Sequence, residues 1–203
     1  MNVIKRGAEA VLYRDNGHLV KERIKKSYRL PQIDERLRKL RTRKEAKLLN
    51  EARRVGVETP NVFSIDENGF RIVMGFVDGK RIKEFLNKTD DKKRKKVATE
   101  IGKCVGLLHK NGIVHGDLTT SNMILKEDKV FFIDFGLGDF SSRAEDLATD
   151  LSVLKEALKS THFKRLDLLW SSFIKGYKQT NDNFNKVLDT LNDIEKRGRY
   201  VER

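Results

Sequence analysis

Three oxygen-bearing side chains constrain this chain more than anything else in it. They are Asp117 and Asn122, in His115-Gly116-Asp117-Leu118-Thr119-Thr120-Ser121-Asn122, and Asp134, in Val130-Phe131-Phe132-Ile133-Asp134-Phe135-Gly136. An Asp with an Asn five residues on, then an Asp-Phe-Gly behind an apolar strand, is the arrangement that magnesium-dependent phosphoryl transfer uses. Magnesium takes hard oxygen ligands, few of them from protein and the rest from phosphate and water. Asn122 and Asp134 can supply the protein share from neighbouring segments. Asp117, at the mouth of the loop, can accept a proton from an attacking hydroxyl or orient a water. An isolated Asp-Phe-Gly is most often a turn after a strand, and an isolated His-Gly-Asp most often plain loop. Their order and short separation carry the reading.

The rest of the chain supplies a setting for these groups. Ala10–Tyr13 and His18–Ile24 read as a hairpin turned at Asp15-Asn16-Gly17. Pro31 is expected to stop regular structure, and a basic helix to follow Asp34 with Leu37, Leu40, Leu48, Leu49 and Ala52 as its apolar stripe up to Gly56. Asn61–Ile65 and Phe70–Val77 form a second strand pair around Glu67-Asn68-Gly69. Beyond Gly79 the pattern turns helical: a short helix at Ile82–Leu86, a long one at Lys92–Lys110 with Val97, Ile101, Val105 and Leu108 in register, and three more near 145–159, 163–178 and 183–196. Two short strands, Met123–Lys126 and Val130–Ile133, interrupt them. The fold class expected is α+β and bilobal: a small β-rich lobe over residues 1–77 and a mostly helical lobe over 78–203 ending in a basic tail.

A length of 203 residues suits one domain or one core split into two lobes. At that size about 70% of the unfolded surface can be buried without a staple. The single Cys104 excludes an internal disulfide framework, and with four scattered His it leaves no Cys-rich zinc site. With no 18-residue apolar run and no apolar signal core, neither a spanning helix nor secretion is expected, and a reducing, cytoplasmic location follows. The net charge of +13 is concentrated: Arg14 to Arg54 holds fifteen basic and six acidic side chains. That excess reads as a solvated helix face, as surface ion pairing, or as an electrostatic footprint for RNA or an acidic protein. The tail Glu195-Lys196-Arg197-Gly198-Arg199-Tyr200 repeats the chemistry with one aromatic. Charge alone leaves these open.

The motifs resemble the protein-kinase fold, and their wording resembles one branch of it, the small atypical Ser/Thr kinase subunit of the KEOPS complex. The resemblance spans nearly the whole chain. It includes Gly7-Ala8-Glu9-Ala10, Val20-Lys21-Glu22-Arg23, Tyr28-Arg29, Arg43-Lys44-Glu45-Ala46, Asp134-Phe135-Gly136-Leu137, Ser160-Thr161-His162 and Arg197-Gly198-Arg199. It implies ATP and Mg2+ as cofactors, and support of threonylcarbamoyladenosine modification of tRNA with a TsaD-like (OSGEP-type) transferase and other KEOPS subunits. Direct tRNA contact through the basic surface and tail belongs to the same expectation, as does the absence of a membrane partner. Residue by residue, Asp117 takes the catalytic position and Asn122 and Asp134 the metal positions. Lys21 matches the lysine on the α/β-phosphates and Glu45 the helix glutamate that holds it, with Lys25 and Lys26 as competitors in a loop. Gly7, Ala8, Glu9, Ala10 and Val11 match the phosphate loop. Leu19, on the same strand face as Lys21, roofs the adenine, Ile124 floors it, and Met74, Gly75, Phe76 and Val77 form the inter-lobe hinge.

Departures from the kinase pattern bear on mechanism. The phosphate loop has one glycine, Gly7, and an acidic Glu9. Gly116 replaces the Arg that reads a phosphorylated activation loop. No Ala-Pro-Glu follows Asp134, and about ten residues separate Gly136 from the next helix. A peptide-docking platform and a phosphorylation switch are therefore not expected, while slow ATP hydrolysis is. Other residues have ordinary readings. His109 is a helix-end cation, His115 a hydrogen-bonding organiser of its loop, and His162 structural or partner-facing. Asp150 caps the catalytic-loop backbone, while Cys104, Trp170 and Phe173 are core. Two rival functions stay open: a small-molecule phosphotransferase of the aminoglycoside-kinase kind, and a non-catalytic basic scaffold for RNA or a partner.

Overall fold

The structure is a computed structural model and describes residues 2–201, with side chains described from 2 to 197. Five antiparallel strands build the small lobe: β1 (Asn2–Arg6), β2 (Ala10–Asp15), β3 (His18–Arg23), β4 (Val62–Asp66) and β5 (Arg71–Met74), in the order β1-β2-β3-β5-β4. The β2–β3 hairpin closes over Asn16 and Gly17, both at positive φ (47° and 81°), as a two-residue turn demands. Helix α1 (Pro31–Arg54) crosses the sheet and buries Ala46, Leu48, Leu49 and Ala52 together with Ile72 and Met74.

Helix α1 corrects two sequence expectations. It starts at Pro31 rather than after Asp34, because proline at a helix's first position has its φ already set and lacks an N–H that would go unused. Its first half buries Asp34 and Thr42, and Glu45 is buried just beyond, whereas Leu40 is half exposed. Asp34 is compensated by Arg38 Nε at 2.7 Å, Arg29 at 3.6 Å and the Lys26 N–H at 3.3 Å. The apolar stripe is thus confined to the second half.

The chain crosses to the large lobe through residues 75–79. There follow β6 (Lys80–Arg81), α2 (Ile82–Lys88), α3 (Asp91–Lys110), β7 (Ile113–Val114), β8 (Met123–Lys126), β9 (Lys129–Phe132), β10 (Asp139–Phe140), α4 (Ala144–Thr161), α5 (Leu166–Thr180) and α6 (Phe184–Val201). Strand β8 lies between β6 and β9, and β7 pairs with β10. The long α3 is started by the Asp90 side chain, which accepts from the Lys93 N–H at 2.8 Å. Helices α3 and α5 touch backbone to backbone: a Cβ on Gly102 would lie 2.0 Å from the Phe173 carbonyl oxygen, and one on Gly176 would lie 1.9 Å from that of Thr99. One continuous core, from Leu48 and Ile72 through Phe132 and Phe135 to Phe173 and Tyr177, joins both lobes. Cys104 is buried in it, and burial pushes its thiol up to about 12, so it is an inert core residue. The expected helices and strands are present within a few residues of their ends, with β5 stopping at Met74 rather than Val77. Strand β1 and the two-residue strands β6, β7 and β10 were not anticipated. Arg199 and Tyr200 of the expected basic tail lie outside the described side chains. Among the described residues, no helix is long and apolar enough to cross a membrane.

Candidate active site

Strand register decides which side chains of the small lobe face the cleft. Residues directly opposite in an antiparallel sheet share a face. Leu12 pairs with Lys21 and Lys21 with Ile72, while Leu19 pairs with Met74. Val11 pairs with Glu22 on the other face. Val11, expected in the phosphate-loop set, therefore points away from the cleft, and Leu12 takes its place. Whether alternation starts on residue 11 or 12 depends on the register, which the sequence does not reveal.

Lys21 is the centre of the charge arrangement. Its Nζ lies 2.6 Å from Glu45 Oε1 and 2.6 Å from Asp134 Oδ1, joining β3, α1 and the Asp-Phe-Gly turn across the two lobes. Burial alone would push the ammonium down, but the Glu45 and Asp134 charges outweigh it and hold its pKa above the ordinary lysine value. Glu45 also takes Arg23 Nη2 at 2.5 Å, so one carboxylate serves two buried cations. Lys25 is exposed, and the ammonium of Lys26 goes to the Ala8 carbonyl; neither competes for Glu45.

On the opposite wall, Asn122 donates from Nδ2 to the Asp117 backbone oxygen at 3.0 Å and to Asp117 Oδ2 at 2.8 Å. That orients the amide and leaves the Asn122 side-chain oxygen without a donor among the described residues. Asp134, at φ 69°, has a half-exposed side chain. Burial would raise its carboxyl, but Lys21 outweighs this and holds it below the usual carboxylate range. A hard-oxygen pair from Asn122 and Asp134, with the Lys21 ammonium standing where positive charge is wanted, fits a magnesium ion that takes its remaining ligands from phosphate and water.

The catalytic loop is held from beneath. Asp150 of α4 accepts the His115 N–H at 2.8 Å and the Gly116 N–H at 2.9 Å, as expected of a capping aspartate. His109 stands in the last turn of α3, as expected, but it is buried, with Nε2 3.2 Å from Asp150 Oδ2 and Nδ1 2.9 Å from the Tyr177 hydroxyl. It fixes Asp150 rather than neutralising a helix dipole. Burial would raise the Asp150 carboxyl, but the His109 bond and charge prevail and lower it. His115 Nδ1 accepts the Asp117 N–H at 3.3 Å, and its ring lies 4.5 Å from that of Phe135, centroid to centroid. Gly116 has φ 80°, and a Cβ there would come 2.2 Å from the Leu137 carbonyl oxygen. The chain after Asp-Phe-Gly passes directly over it at Leu137 and continues through the short β10 into α4.

His115 beneath the loop, and His162, which meets Thr120 at 3.2 Å and Asn87 at 2.7 Å, give the fold a pH signature. Burial pushes both imidazoles below the ordinary value; for His162, Lys83 and Arg94 add to it. A histidine buried neutral binds its proton more readily when unfolded, so stability present at neutral pH is lost as pH falls below about 6.5. The carboxylates lowered by their partners lose their contribution only in more acid solution, near and below about pH 4. The urea midpoint is therefore expected to fall between pH 7.5 and 5.5; a midpoint constant or rising over that interval contradicts the assignment.

The expected adenine-end residues come from both lobes. Leu19 lies beside Met74, which is buried; the Gly75 N–H is spent on the Asn61 carbonyl at 2.8 Å; Phe76 lies 3.8 Å beneath the Arg14 guanidinium; and Val77 follows at the crossing. Ile124 of β8 pairs with Arg81 and Phe131 on the large-lobe side. At the phosphate end, Gly7, Ala8, Glu9 and Ala10 line a cleft of about 230 Å³ with Leu12, Lys21, Asp117 and Asp134. Arg23 and Arg41 also line it. Sequence reasoning passed over both, since a basic helix and a basic strand give no sign of which cations turn inward.

Comparison with known proteins places this arrangement. Residues 10–168 match the RIO domain. The chain is 46% identical, over its full length and 98% of the relative, to KEOPS complex subunit Bud32 of Pyrococcus abyssi. The chain belongs to the RIO-domain family. It is also 42% identical to the probable bifunctional tRNA threonylcarbamoyladenosine biosynthesis protein of Methanocaldococcus jannaschii, of which it spans 37%. Two solved structures share the fold at 15% identity: WaaP in complex with acyl carrier protein (TM-score 0.66, 96% of this chain and 88% of that one) and the Rio2 kinase–ADP/Mg2+–phosphoaspartate complex from Chaetomium thermophilum (TM-score 0.62, 100% and 72%). The bilobal α+β architecture expected from the motifs is thus that of a RIO-domain atypical kinase, and the family is one of phosphotransferases and ATPases.

Proposed function

We propose that this chain binds ATP with Mg2+ and cleaves it, in support of threonylcarbamoyladenosine modification of tRNA alongside a TsaD-like transferase within a KEOPS-type assembly. The observation that carries the reading is that Lys21, Asp117 and Asp134 line one cleft between the lobes, with Glu45 bound to Lys21 and Asn122 to Asp117. A scaffold without turnover has no need of all five. The names of the 46% and 42% identical relatives support the tRNA assignment. In this reading residues 1–77 act as the nucleotide-roofing lobe and 78–203 as the catalytic one.

The chemistry asked of the protein is positioning and charge. Lys21, fixed by Glu45, grips the α/β-phosphates, and Asn122 and Asp134 hold the magnesium ion, which supplies charge to the phosphate oxygens. Asp117 accepts the proton of an attacking water or hydroxyl as the bond to the γ-phosphorus forms and that to the ADP oxygen breaks. The short segment between Gly136 and Ala144 leaves little support for an extended peptide, which favours water over a Ser/Thr hydroxyl as acceptor. ATP turnover is expected to rise when the TsaD-like partner and tRNA are added, and to drop about a hundredfold in Asp117→Ala. Stimulation by peptide alone turns the reading toward an ordinary protein kinase; phosphorylation of a soluble small molecule turns it toward a metabolite kinase.

A further inference from the structure

The phosphate end of the cleft is short of backbone donors. Gly7 is the one glycine of its loop, and its N–H is spent on the Ala10 carbonyl at 2.9 Å. Positive charge there must come from side chains. Lys21 and Arg23 are both bound to the buried Glu45 carboxylate, and Lys5 lines the cleft from the exposed strand β1, without a tie to an acid of the phosphate loop among the described residues. Arg41 is placed differently. It sits one turn before Glu45 on the same face of α1, lines the cleft with Asp117 and Asp134, and is part exposed. Its Nη1 is engaged at 3.0 Å by Glu9 Oε2, an acid at the tip of the phosphate loop.

A guanidinium pairs with carboxylate and phosphate through the same planar fork. Glu9 therefore presents to Arg41 the kind of anionic oxygen that a phosphate chain lying under the loop would present. Resting on the ATP reading above, we propose that Arg41 is a phosphate-binding residue for the terminal phosphate of a nucleoside triphosphate, and that Glu9 is a built-in anion holding it until that phosphate takes over. The exchange conserves charge pairing on Arg41 and frees the Glu9 carboxylate to turn to solvent, where it is already 45% exposed and keeps Lys26 at 3.6 Å. It also gives the acidic residue in the loop a purpose: affinity for triphosphate is tempered, and the loop is latched to α1 when no nucleotide is bound.

Calorimetric titration with a non-hydrolysable ATP analogue and with ADP, each with Mg2+, separates the possibilities. Arg41→Gln is expected to weaken the triphosphate analogue about tenfold, as for one partly exposed charge-assisted hydrogen bond, while ADP affinity stays within about twofold. Glu9→Gln is expected to tighten the analogue several-fold in the parent and to do nothing in the Arg41→Gln background. Thermal melting of each variant shows whether the fold is retained, and Arg41→Lys, which keeps helix propensity and charge but loses the fork, is expected to fall between. Equal weakening of analogue and ADP by Arg41→Gln, or none, overturns the assignment of Arg41. Parental affinity in Glu9→Gln removes the latch. A parent protein that binds neither nucleotide overturns instead the reading on which the inference rests.

Discussion

Asp134→Asn is expected to lower ATP turnover by about a thousandfold while leaving the fold in place. The substitution keeps shape and one oxygen but removes the negative charge that pairs with Lys21 and that the proposed metal position would use. Stability is nearly insulated from the change: the Asp134 side chain is half exposed, so its ion pair with Lys21 contributes about 1 kcal/mol or less. Lys21 keeps Glu45 at 2.6 Å. A single-turnover assay beside a thermal melt checks both halves. Turnover at the parental rate in a folded Asp134→Asn protein removes Asp134 from the site and with it the proposed chemistry.

Asp150→Ala is expected to act in the opposite way, through the fold. The Asp150 carboxylate is 2% exposed and accepts from the His115 and Gly116 N–H groups while pairing with His109. Removing it strands buried polar groups in a core that cannot hydrate them, at a cost of about 4 kcal/mol. That is a large share of the stability of a chain this size. Urea denaturation measures it directly, and a loss below about 1 kcal/mol would falsify the view that this carboxylate carries the loop. Any activity left in the folded fraction reports how far Asp117 drifts without its support.

The contrast between these two aspartates shows what a sequence makes visible. Asp117, Asn122 and Asp134 stood out because their chemistry fixes residue type and order along the chain, while Lys21 and Glu45 were singled out by the family resemblance, and the structure places those two 2.6 Å apart. The hairpin at Asn16-Gly17 and the long α3 were legible because turn chemistry and a 3.6-residue period are local. Features set by a distant partner were not. Nothing in the segment around His109 announces Tyr177 and Asp150, which bury it. The inward turn of Val11 or Leu12 follows from pairing with β3, and the exposure of Leu40 from where α1 leaves the sheet. Pro31 was misread because its effect depends on whether it falls inside a helix or at its first residue. The two-residue strands β6, β7 and β10 are too short to show any period. Arg41 was hidden among fourteen other basic side chains between Arg14 and Arg54, of which geometry alone singles out the one tied to Glu9 at 3.0 Å.

The bond from Lys21 to Asp134 bears on how the two halves are held together. It buttons the upper half of the molecule to the lower one, and the shared core behind it does the same from the back. An ion pair worth about 1 kcal/mol or less is too weak to fix the angle between the halves, so that angle is set by the apolar side chains the two halves share.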